Sequence, residues 1–294
     1  MGQLNSGSDL REIASPRNPA VRYYRECAGG EREGLIGLEG ARLVADAISA
    51  GVRVREVYTT VAAADSGAGS MVLGGARARG IEVVAISQSV ADRMADTRTP
   101  QGVFATAEWG PMSGSEILAH SRVAAADGVG AWSFIVLLDG VADPGNVGTI
   151  SRTAAALGTA AIVAGPGCAR LGSPKVLRAS MGALFRLPVA AEPDLEGFLL
   201  SARSYGYHVM ASEVSGGIPV GTLSIPRAQD GLSRSLLVIG SEALGISSVV
   251  RGIADAFVTI PMARNVESLN AASAAAILIY EISRKSLGNV LQNM

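Results

Sequence analysis

The run of apolar residues at positions 134–138 constrains the fold of this chain more than any other feature. Five consecutive apolar side chains are typical of a strand that is covered on both faces of a parallel sheet. Further short segments with strand character alternate with segments of helical period after this run. The predicted strands are 134–138, 160–164, 187–190, 207–211, 235–239 and 256–260, and the predicted helices are 149–157, 173–181, 195–205 and 269–287. This alternation predicts an α/β domain with helices on both faces of a parallel sheet.

A smaller α/β pattern precedes this domain. Strands are predicted at 35–38, 52–59, 81–86 and 102–107, and helices at 21–33, 40–50, 71–79 and 90–94. Pro16 and Pro19 are expected to delay the first helix until residue 21, and Gly51 is a candidate for the left-handed residue after the second helix. The predicted organisation is a disordered tail at 1–10, a small domain at 11–108, a linker at 109–131 with part of 116–125 helical, and a larger domain at 132–294.

The overall charge does not indicate nucleic-acid binding, because 25 basic and 26 acidic side chains leave a formal net charge of −1. Any contact with nucleic acid must come from a local basic patch. Cys27 and Cys168 are isolated from each other and from histidines in ligand spacing, so no metal site is expected. Two isolated thiols fit a reducing cytosol, and no apolar run reaches the ~20 residues that span a bilayer. We expect a cytoplasmic protein without a membrane partner.

Three loops follow predicted strands of the larger domain, at residues 139–148, 240–247 and 260–270. Ligands bind at the carboxyl ends of strands in open α/β sheets. Each loop also has a purely structural explanation, because Asn146, Ser268 or Asn270 could cap a helix that follows. The dinucleotide fingerprint, the phosphate-binding P-loop and the serine-hydrolase elbow are all missing. His120 and His208, the two histidines of the chain, lie outside the three loops, and histidine-dependent catalysis is therefore not favoured.

The three loops together resemble the SPOUT superfamily of RNA methyltransferases, in its TrmH/SpoU branch of ribose 2′-O-methyltransferases. The motifs are NVGTISRT at 146–153, GSEALG at 240–245, and IPM at 260–262 with ESLN at 267–270. The resemblance covers about residues 133–285 and implies a parallel-sheet domain with a deep trefoil knot, a rare exception to unknotted connections. Segments 15–19, 38–43 and 97–102 are similar to the small domain, of the ribosomal-protein L30e type, that precedes the catalytic domain in many members. Ser241 and Ala243 depart from the Asn and Gly of many relatives.

The resemblance implies S-adenosylmethionine as the methyl donor, a homodimer, and roles for residues of the three loops. Catalytic roles fall to Arg152, Asn146, Glu242, Ser268 and Asn270. Cofactor binding falls to Gly240, Ile260, Met262, Leu269, Gly245 and Ala211, with Gly240 expected to let the backbone approach the ligand closely. The family assigns proton removal to the arginine at position 152, although a guanidinium is effectively always protonated. We expect Arg152 to bind phosphate and stabilise developing alkoxide charge, with Glu242 as its carboxylate partner.

A basic segment without acidic residues, at positions 167–191, is the predicted RNA contact. The candidate RNA-binding residues are Arg170, Lys175, Arg178 and Arg186, extended by Arg17 and Arg42 in the small domain. A solvated helix face is the structural alternative, but the neighbouring first loop favours phosphate contact. The expected partner is a structured RNA, with 23S rRNA favoured and no DNA expected. Alternatives are tRNA 2′-O-methylation and a catalytically silent RNA-binding protein, and antibiotic resistance of the avilamycin type is as open as housekeeping modification.

Overall fold

The computed structural model describes residues 11–126, 132–226, 233–263 and 266–287. Their contacts group into two compact units. The first contains the described residues up to Gly110 together with Gly172–Phe185, and the second contains Pro111–Leu171 and the described residues from Arg186 onward. The segment Gly172–Phe185 therefore groups with the first unit, although sequence patterning assigned it to the larger domain. The predicted tail at 1–10 and the linker residues 127–131 lie outside the described residues.

Twelve strands and eleven α-helices are described in these ranges. The strands are β1 (Glu12–Ile13), β2 (Leu35–Glu39), β3 (Arg53–Thr59), β4 (Glu82–Ile86), β5 (Val103–Glu108), β6 (Trp132–Asp139), β7 (Ala161–Ala164), β8 (Val189–Ala191), β9 (His208–Ser212), β10 (Ile218–Pro219), β11 (Ser233–Gly240) and β12 (Ala256–Thr259). The helices are α1 (Pro19–Gly29), α2 (Ala41–Ser49), α3 (Val61–Ala64), α4 (Gly67–Arg77), α5 (Gln88–Met94), α6 (Gly114–Ala126), α7 (Pro144–Ala156), α8 (Pro174–Ser180), α9 (Leu195–Ser204), α10 (Ser248–Ile253) and α11 (Ala271–Leu287). Short 3-10 turns lie at Ala183–Phe185 and Val220–Thr222.

The first unit is built on a mixed five-stranded sheet in the order β1-β4-β3-β5-β2. Strand β5 is antiparallel to both β2 and β3, whereas β3 and β4 are parallel. Tyr24, Tyr58 and Phe104 form the aromatic centre of its core, with edge-to-face ring contacts. Such contacts add about 0.5–1.5 kcal/mol per pair beyond the burial of apolar area. This packing holds α1 against the sheet.

Helix α1 starts earlier than the sequence pattern predicts. It begins at Pro19, and the Asn18 side chain caps it by accepting a hydrogen bond of 2.9 Å from the Ala20 amide. The prediction that Pro19 blocks the helix was wrong, because proline at the first helical position loses no intrahelical hydrogen bond and has a suitable φ. The helix ends at Gly29, ahead of the predicted residue 33, because Gly30 adopts a left-handed φ of 83°. The left-handed residue predicted at Gly51 is confirmed, with φ of 78°.

The second unit contains an all-parallel seven-stranded sheet in the order β10-β12-β9-β11-β6-β7-β8. Strand β11 lies between β6 and β9, and residues 134–138 of β6 are almost completely buried. This confirms the α/β class predicted from the apolar run. Parallel strands aligned in register bring the carboxyl ends of β6, β11 and β12 to one edge, where the three loops begin. The trefoil knot stays a prediction.

Helix α7 follows the first loop and carries two of the predicted site residues. Asp143, and not Asn146, caps the helix: its side chain accepts a hydrogen bond of 2.9 Å from the Asn146 amide. The helix begins at Pro144, five residues before the predicted start, because Pro at the first position is favourable there. The Asn146 side chain is therefore available for contacts outside the helix. No helix within the described ranges is both long enough and apolar enough to cross a membrane.

Candidate active site

A buried carboxylate connects the first and second loops. Asp139, at the end of β6, is 6% exposed, and its Oδ2 accepts a hydrogen bond of 2.6 Å from the Ser247 amide. Ser247 in turn caps α10 by accepting a hydrogen bond from the Val250 amide. Hydrogen bonds to an ionised carboxylate are short and about twice as strong as neutral ones. Asp139 therefore holds the start of α10 at a defined position beside the end of β6.

The second loop closes on itself at the end of β11. The Ser241 amide donates to the Gly245 carbonyl at 3.0 Å, and the Gly245 amide donates to the Ser241 carbonyl at 2.9 Å. A Cβ at Gly240 would lie 2.6 Å from both the Gly245 oxygen and the Ile246 nitrogen. Gly240 is therefore required by the loop's own backbone, and its expected role in the close approach of a ligand stays a prediction.

This loop forms one wall of a pocket of about 380 Å³ in the second unit. Its other walls come from the end of β9, from 258–262, from residues 268–269 and from α11. The predicted cofactor residues that line it are Gly240, Gly245, Ile260, Met262 and Leu269, together with Ser268 and Glu242. Ala211 does not line the pocket: it is fully buried in the core because its side chain faces away, and its neighbour Ser212 lines the pocket instead.

Two charged residues of the pocket carried no motif signal in the sequence. Arg251 of α10 donates to Glu213, just after β9, at 2.8 Å, and its guanidinium lies 5.6 Å from the centroid of the Phe257 ring. Both Glu213 and Arg251 line the pocket, whose walls are otherwise largely apolar. The pairing joins residues 38 positions apart, and residue spacing alone does not reveal it. The rest of the wall is a mixture of apolar side chains with a few placed polar groups, which is typical of small-molecule sites.

Asn146 connects all three loops through its side-chain amide. Its Nδ2 donates a short hydrogen bond to Glu242 of the second loop, and its Oδ1 accepts one of 3.0 Å from Asn270 Nδ2 in the third loop. The Asn270 oxygen also caps α11, accepting hydrogen bonds of 3.0 Å from Ala272 and 3.2 Å from Ser273. The capping alternative is thus correct for Asn270 and wrong for Asn146. One polar network fixes these three site residues together.

Arg152 is exposed on α7 and has no hydrogen bond or ion pair with any described residue. Its predicted pairing with Glu242 is wrong in this structure, because Glu242 accepts from Asn146 instead. Arg152 lies six residues after Asn146, which turns its side chain about 120° around the helix axis. The Ser268 hydroxyl likewise makes no hydrogen bond within the described part of the chain. This exposed arginine, on the helix that carries Asn146, is available to an anionic group.

The predicted RNA-binding residues differ in how far acidic groups neutralise them. Arg178 donates to Glu39 at 3.1 Å and to Asp96 at 2.6 Å, and Arg42 donates to Asp46 at 3.1 Å. These ion pairs compensate part of the charge of both arginines, and their role in RNA binding stays a prediction. Arg17 is exposed and its side chain has no partner among the described residues. The other three candidates, Arg170, Lys175 and Arg186, are exposed.

The titratable groups of the described residues do not suggest metal or histidine chemistry. No group of three or more His, Cys, Asp or Glu is placed to hold a metal ion in the described ranges. Burial raises the pKa of the Cys168 thiol, which donates to the Leu138 carbonyl at 3.2 Å. Burial also lowers the pKa of His208, despite Asp255 at 3.7 Å. Neither residue lines the pocket, and the chemistry of this site therefore depends on amide, carboxylate and guanidinium groups.

Comparisons with known proteins identify the family. The model of the SpoU rRNA methylase family matches residues 133–280, and that of the MRM3-like substrate binding domain matches residues 24–105. A Streptomyces laurentii relative named 23S rRNA (adenosine(1067)-2'-O)-methyltransferase is 32% identical over 284 residues, which are 95% of this chain and 98% of that relative. The chain is thus similar to this relative along nearly the whole length of both proteins.

Two solved structures share the fold. An AdoMet-bound rRNA methyltransferase from Sinorhizobium meliloti has a TM-score of 0.77 at 28% identity, over 95% of this chain and 99% of that one. The SpoU methyltransferase AviRb from Streptomyces viridochromogenes, in complex with AdoMet, has a TM-score of 0.72 at 25% identity, over 91% and 98%. These matches confirm the family predicted from the three loop motifs and the substrate-binding type of the first domain. The chain belongs to the SpoU rRNA methylase family.

Proposed function

We propose that this protein transfers a methyl group from S-adenosylmethionine to a ribose 2′-hydroxyl of 23S rRNA. The observation that carries the proposal is the polar network of Asn146, Glu242 and Asn270, which joins the three family motifs. Glu242 also lines the pocket, and Arg152 stands unpaired on the helix that carries Asn146. Glu242 therefore belongs both to the pocket and to the polar network that could orient a hydroxyl.

The pocket fits S-adenosylmethionine in size and in chemistry. Its volume of about 380 Å³ lies within the range of ~300–1,000 Å³ typical of small-molecule sites. Apolar residues including Ile260, Met262 and Leu269 would cover the adenine, and Glu213 with Arg251 would meet the charged amino-acid end. When bound, this cofactor supplies a methyl group already activated on a sulfonium. The protein must then align the ribose hydroxyl with that methyl group and help to remove the hydroxyl proton.

The residues around the pocket divide these two tasks. Asn146 is held from both sides by Glu242 and Asn270, so its amide has a defined orientation toward whatever the loops bind. Holding reacting groups in a near-attack geometry removes several kcal/mol from a barrier. We infer that Arg152 binds phosphate and stabilises the charge that develops on the ribose oxygen. A permanently protonated guanidinium suits that electrostatic role better than the role of a base.

The relatives' names favour ribosomal RNA as the substrate. The Streptomyces laurentii relative is named for methylation of 23S rRNA, and the matched first domain is of a substrate-binding type. Transfer of a ribose methyl to tRNA is the alternative that an experiment must separate. A homodimer and a cytoplasmic location are part of the proposal, following the resemblance of the C-terminal domain.

Labelled methyl transfer to separate 23S rRNA and tRNA substrates tests the proposal. A ribose methyl makes the following phosphodiester bond resistant to alkali, so an alkali-resistant labelled dinucleotide from 23S rRNA is the expected product. Label found only on bases, or only in tRNA, would contradict the proposed reaction or substrate. Calorimetry without detectable S-adenosylmethionine binding would favour a silent RNA-binding protein.

The Arg152→Ala variant tests the role of the unpaired arginine. We expect transfer to fall by about 10²–10³-fold, the usual effect of removing a donor to a developing oxyanion, with S-adenosylmethionine affinity unchanged. Arg152→Lys should restore part of the rate, since it keeps the charge. Arg284→Ala is the matched control, because Arg284 is half exposed on α11 and its one ion pair among the described residues is with Glu281. Wild-type rates in Arg152→Ala would refute this role.

A further inference from the structure

The first unit contains a second cavity, of about 420 Å³, that is separate from the pocket described above. It lies where the end of β2, the start of α2, the loop after α5 and the end of α8 come together. Its walls are mostly polar, unlike those of the first pocket. The lining residues are Glu39, Gly40, Arg42, Leu43, Asp46, Thr97, Thr99, Gln101, Arg178 and Met181. They come from segments 38–43 and 97–102, from α2, and from the end of α8 and the residue after it.

A buried carboxylate makes one wall of this cavity rigid. Glu39 is 3% exposed and accepts hydrogen bonds from the Asp96 amide at 2.9 Å, the Thr97 amide at 3.3 Å and the Thr97 hydroxyl. It also accepts from Arg178 at 3.1 Å. Four donors use the acceptor capacity of both oxygens. The carboxylate therefore serves to hold the wall and has no acceptor left for a ligand.

The charges of the cavity cancel. Arg178 is paired with Glu39 and Asp96, and Arg42 is paired with Asp46. A phosphate is bound best by cationic groups that lack an acidic competitor. The cavity therefore favours a neutral polar group over a phosphate.

Unused hydrogen-bond donors point to the kind of group that fits. The Gln101 oxygen accepts from the Ala41 amide at 3.3 Å, which leaves the amide nitrogen without a partner among the described residues. The Thr99 hydroxyl and the terminal nitrogens of Arg42 also have no partner there. These groups are mainly donors. A neutral ligand with an acceptor-rich edge would satisfy them, and nucleobases present such edges.

Met181 supplies an apolar surface from a backbone conformation that is unfavourable for a residue with a side chain. It has a φ of 50° and is the one non-glycine residue with positive φ in the described part of the chain. A left-handed conformation costs a residue with a side chain roughly 1–2 kcal/mol, and Met181 is also 45% exposed. The next residue, Gly182, has no room for a side chain, because a Cβ there would lie 2.7 Å from Asp46 Cβ. A strained, exposed apolar side chain beside a polar cavity is consistent with a binding role.

We propose that this cavity binds one unpaired base of the RNA substrate, other than that of the methylated nucleotide. The face of the base contacts the Met181 thioether, and its acceptor-rich edge accepts from Gln101 and Arg42. Thioether sulfur makes favourable contacts with aromatic rings, and proteins read RNA sequence mainly on bases splayed out of helices. The inference rests on the proposed function to the extent that the substrate is RNA. It makes this cavity of the first unit a reader of one base rather than a phosphate site.

Two variants test the inference without endangering the fold. Met181→Gly removes the apolar side chain at a backbone position that glycine prefers, so the free energy of unfolding should stay level or rise. Gln101→Glu keeps an oxygen for the Ala41 amide and removes the unused donors. Gln88→Glu is the charge-matched control, because Gln88 is exposed on α5 and does not line the cavity. Affinity is measured by filter binding of an unmodified 23S rRNA transcript with excess tRNA as competitor.

We expect Met181→Gly to weaken RNA binding by about tenfold, the usual effect of losing a stacking surface. Gln101→Glu should weaken it by about the same factor, because the hydrogen bonds donated to the base edge are lost. The Gln88→Glu control should bind RNA with wild-type affinity, and all three variants should bind S-adenosylmethionine as the wild type does. Chemical probing of the transcript should show one base that wild type protects and Met181→Gly does not, at a site other than the methylated ribose. Wild-type RNA affinity in both variants, or an unchanged probing pattern, would overturn the inference. A cavity-dependent footprint without any methyl transfer would instead contradict the proposed function and leave this inference standing.

Discussion

Substituting Gly240 by alanine tests how the second loop builds the pocket. The added Cβ would lie 2.6 Å from the Gly245 oxygen and from the Ile246 nitrogen, whereas ordinary contacts begin at 3.4 Å. Both neighbours are backbone atoms, so no flexible side chain can move aside. Restoring a 3.4 Å contact from 2.6 Å requires the loop to open by at least 0.8 Å, and this motion pulls on the two hydrogen bonds between Ser241 and Gly245.

The magnitude of the effect follows from these two bonds and from the overpacking. Each backbone hydrogen bond contributes a net ~0.5–1.5 kcal/mol, and forcing a methyl group into a packed site costs about 1–3 kcal/mol. We therefore expect Gly240→Ala to destabilise the folded loop by about 2 kcal/mol. Because the loop lines the pocket, the Kd for S-adenosylmethionine should rise at least about tenfold, which corresponds to ~1.4 kcal/mol.

Calorimetric titration with S-adenosylmethionine and denaturant unfolding measure the two effects. Gly252→Ala is the matched control, since a Cβ at Gly252 on α10 would have no atom within 4 Å. Replacing glycine in a helix by alanine stabilises by about 0.5–1 kcal/mol, so the control should bind the cofactor normally and unfold later. The reasoning is refuted if Gly240→Ala binds S-adenosylmethionine within twofold of wild type and unfolds at the wild-type denaturant concentration.

Three further perturbations follow from single contacts. Asn270→Ala should lose the cap of α11 and with it about 1 kcal/mol of unfolding free energy. Asn270→Asp should keep that stability and still lose methyl transfer, because it cannot donate a hydrogen bond to Asn146. Equal rates of methyl transfer in the wild type and Asn270→Asp would contradict the role of the network. Glu39→Ala should destabilise the first unit by about 1–3 kcal/mol, because the Asp96 and Thr97 amides lose their acceptor while Arg178 keeps its ion pair with Asp96. Denaturant unfolding measures this loss, and wild-type stability would contradict the bracing role of Glu39. Burial lowers the pKa of His208 below its ordinary 6.5, so the unfolded chain binds the proton more tightly than the folded chain does. The free energy of unfolding should therefore fall as pH drops from above 6.5 through the folded pKa. His208→Gln should flatten this pH dependence, and an unchanged slope would place its origin in another group.

The order of strands and helices was largely predictable from the sequence. Residues 134–138 predicted a fully covered strand, and β6 is such a strand. Errors concentrated at element ends, where local capping decides the boundary: Asn18 and Asp143 cap helices that begin at Pro19 and Pro144, earlier than the sequence pattern predicted. Strand β1 was missed because a two-residue strand has too little periodicity to be recognised.

The site was predictable in its residue types and less so in its contacts. The three motifs predicted the loops that meet, and most of the expected cofactor residues line one pocket. Glu213 and Arg251 were missed because their pairing crosses elements that carry no motif. The expected ion pair between Arg152 and Glu242 is wrong, because opposite charge suggests a partner but does not show which donor lies nearest in space. The nearest donor to Glu242 is Asn146.

The sequence by itself determined the α/β class, the family and the position of the reactive loops, because apolar period and loop motifs are local properties of the chain. Only the tertiary structure decided which polar groups pair with each other through hydrogen bonds and ion pairs. It assigned Gly240 to the loop's own backbone, Asn146 to Glu242, and Arg178 to Glu39. These choices depend on distances of a few ångströms between residues that are far apart in the chain, and hydrogen bonds and ion pairs change with such distances while local patterns do not.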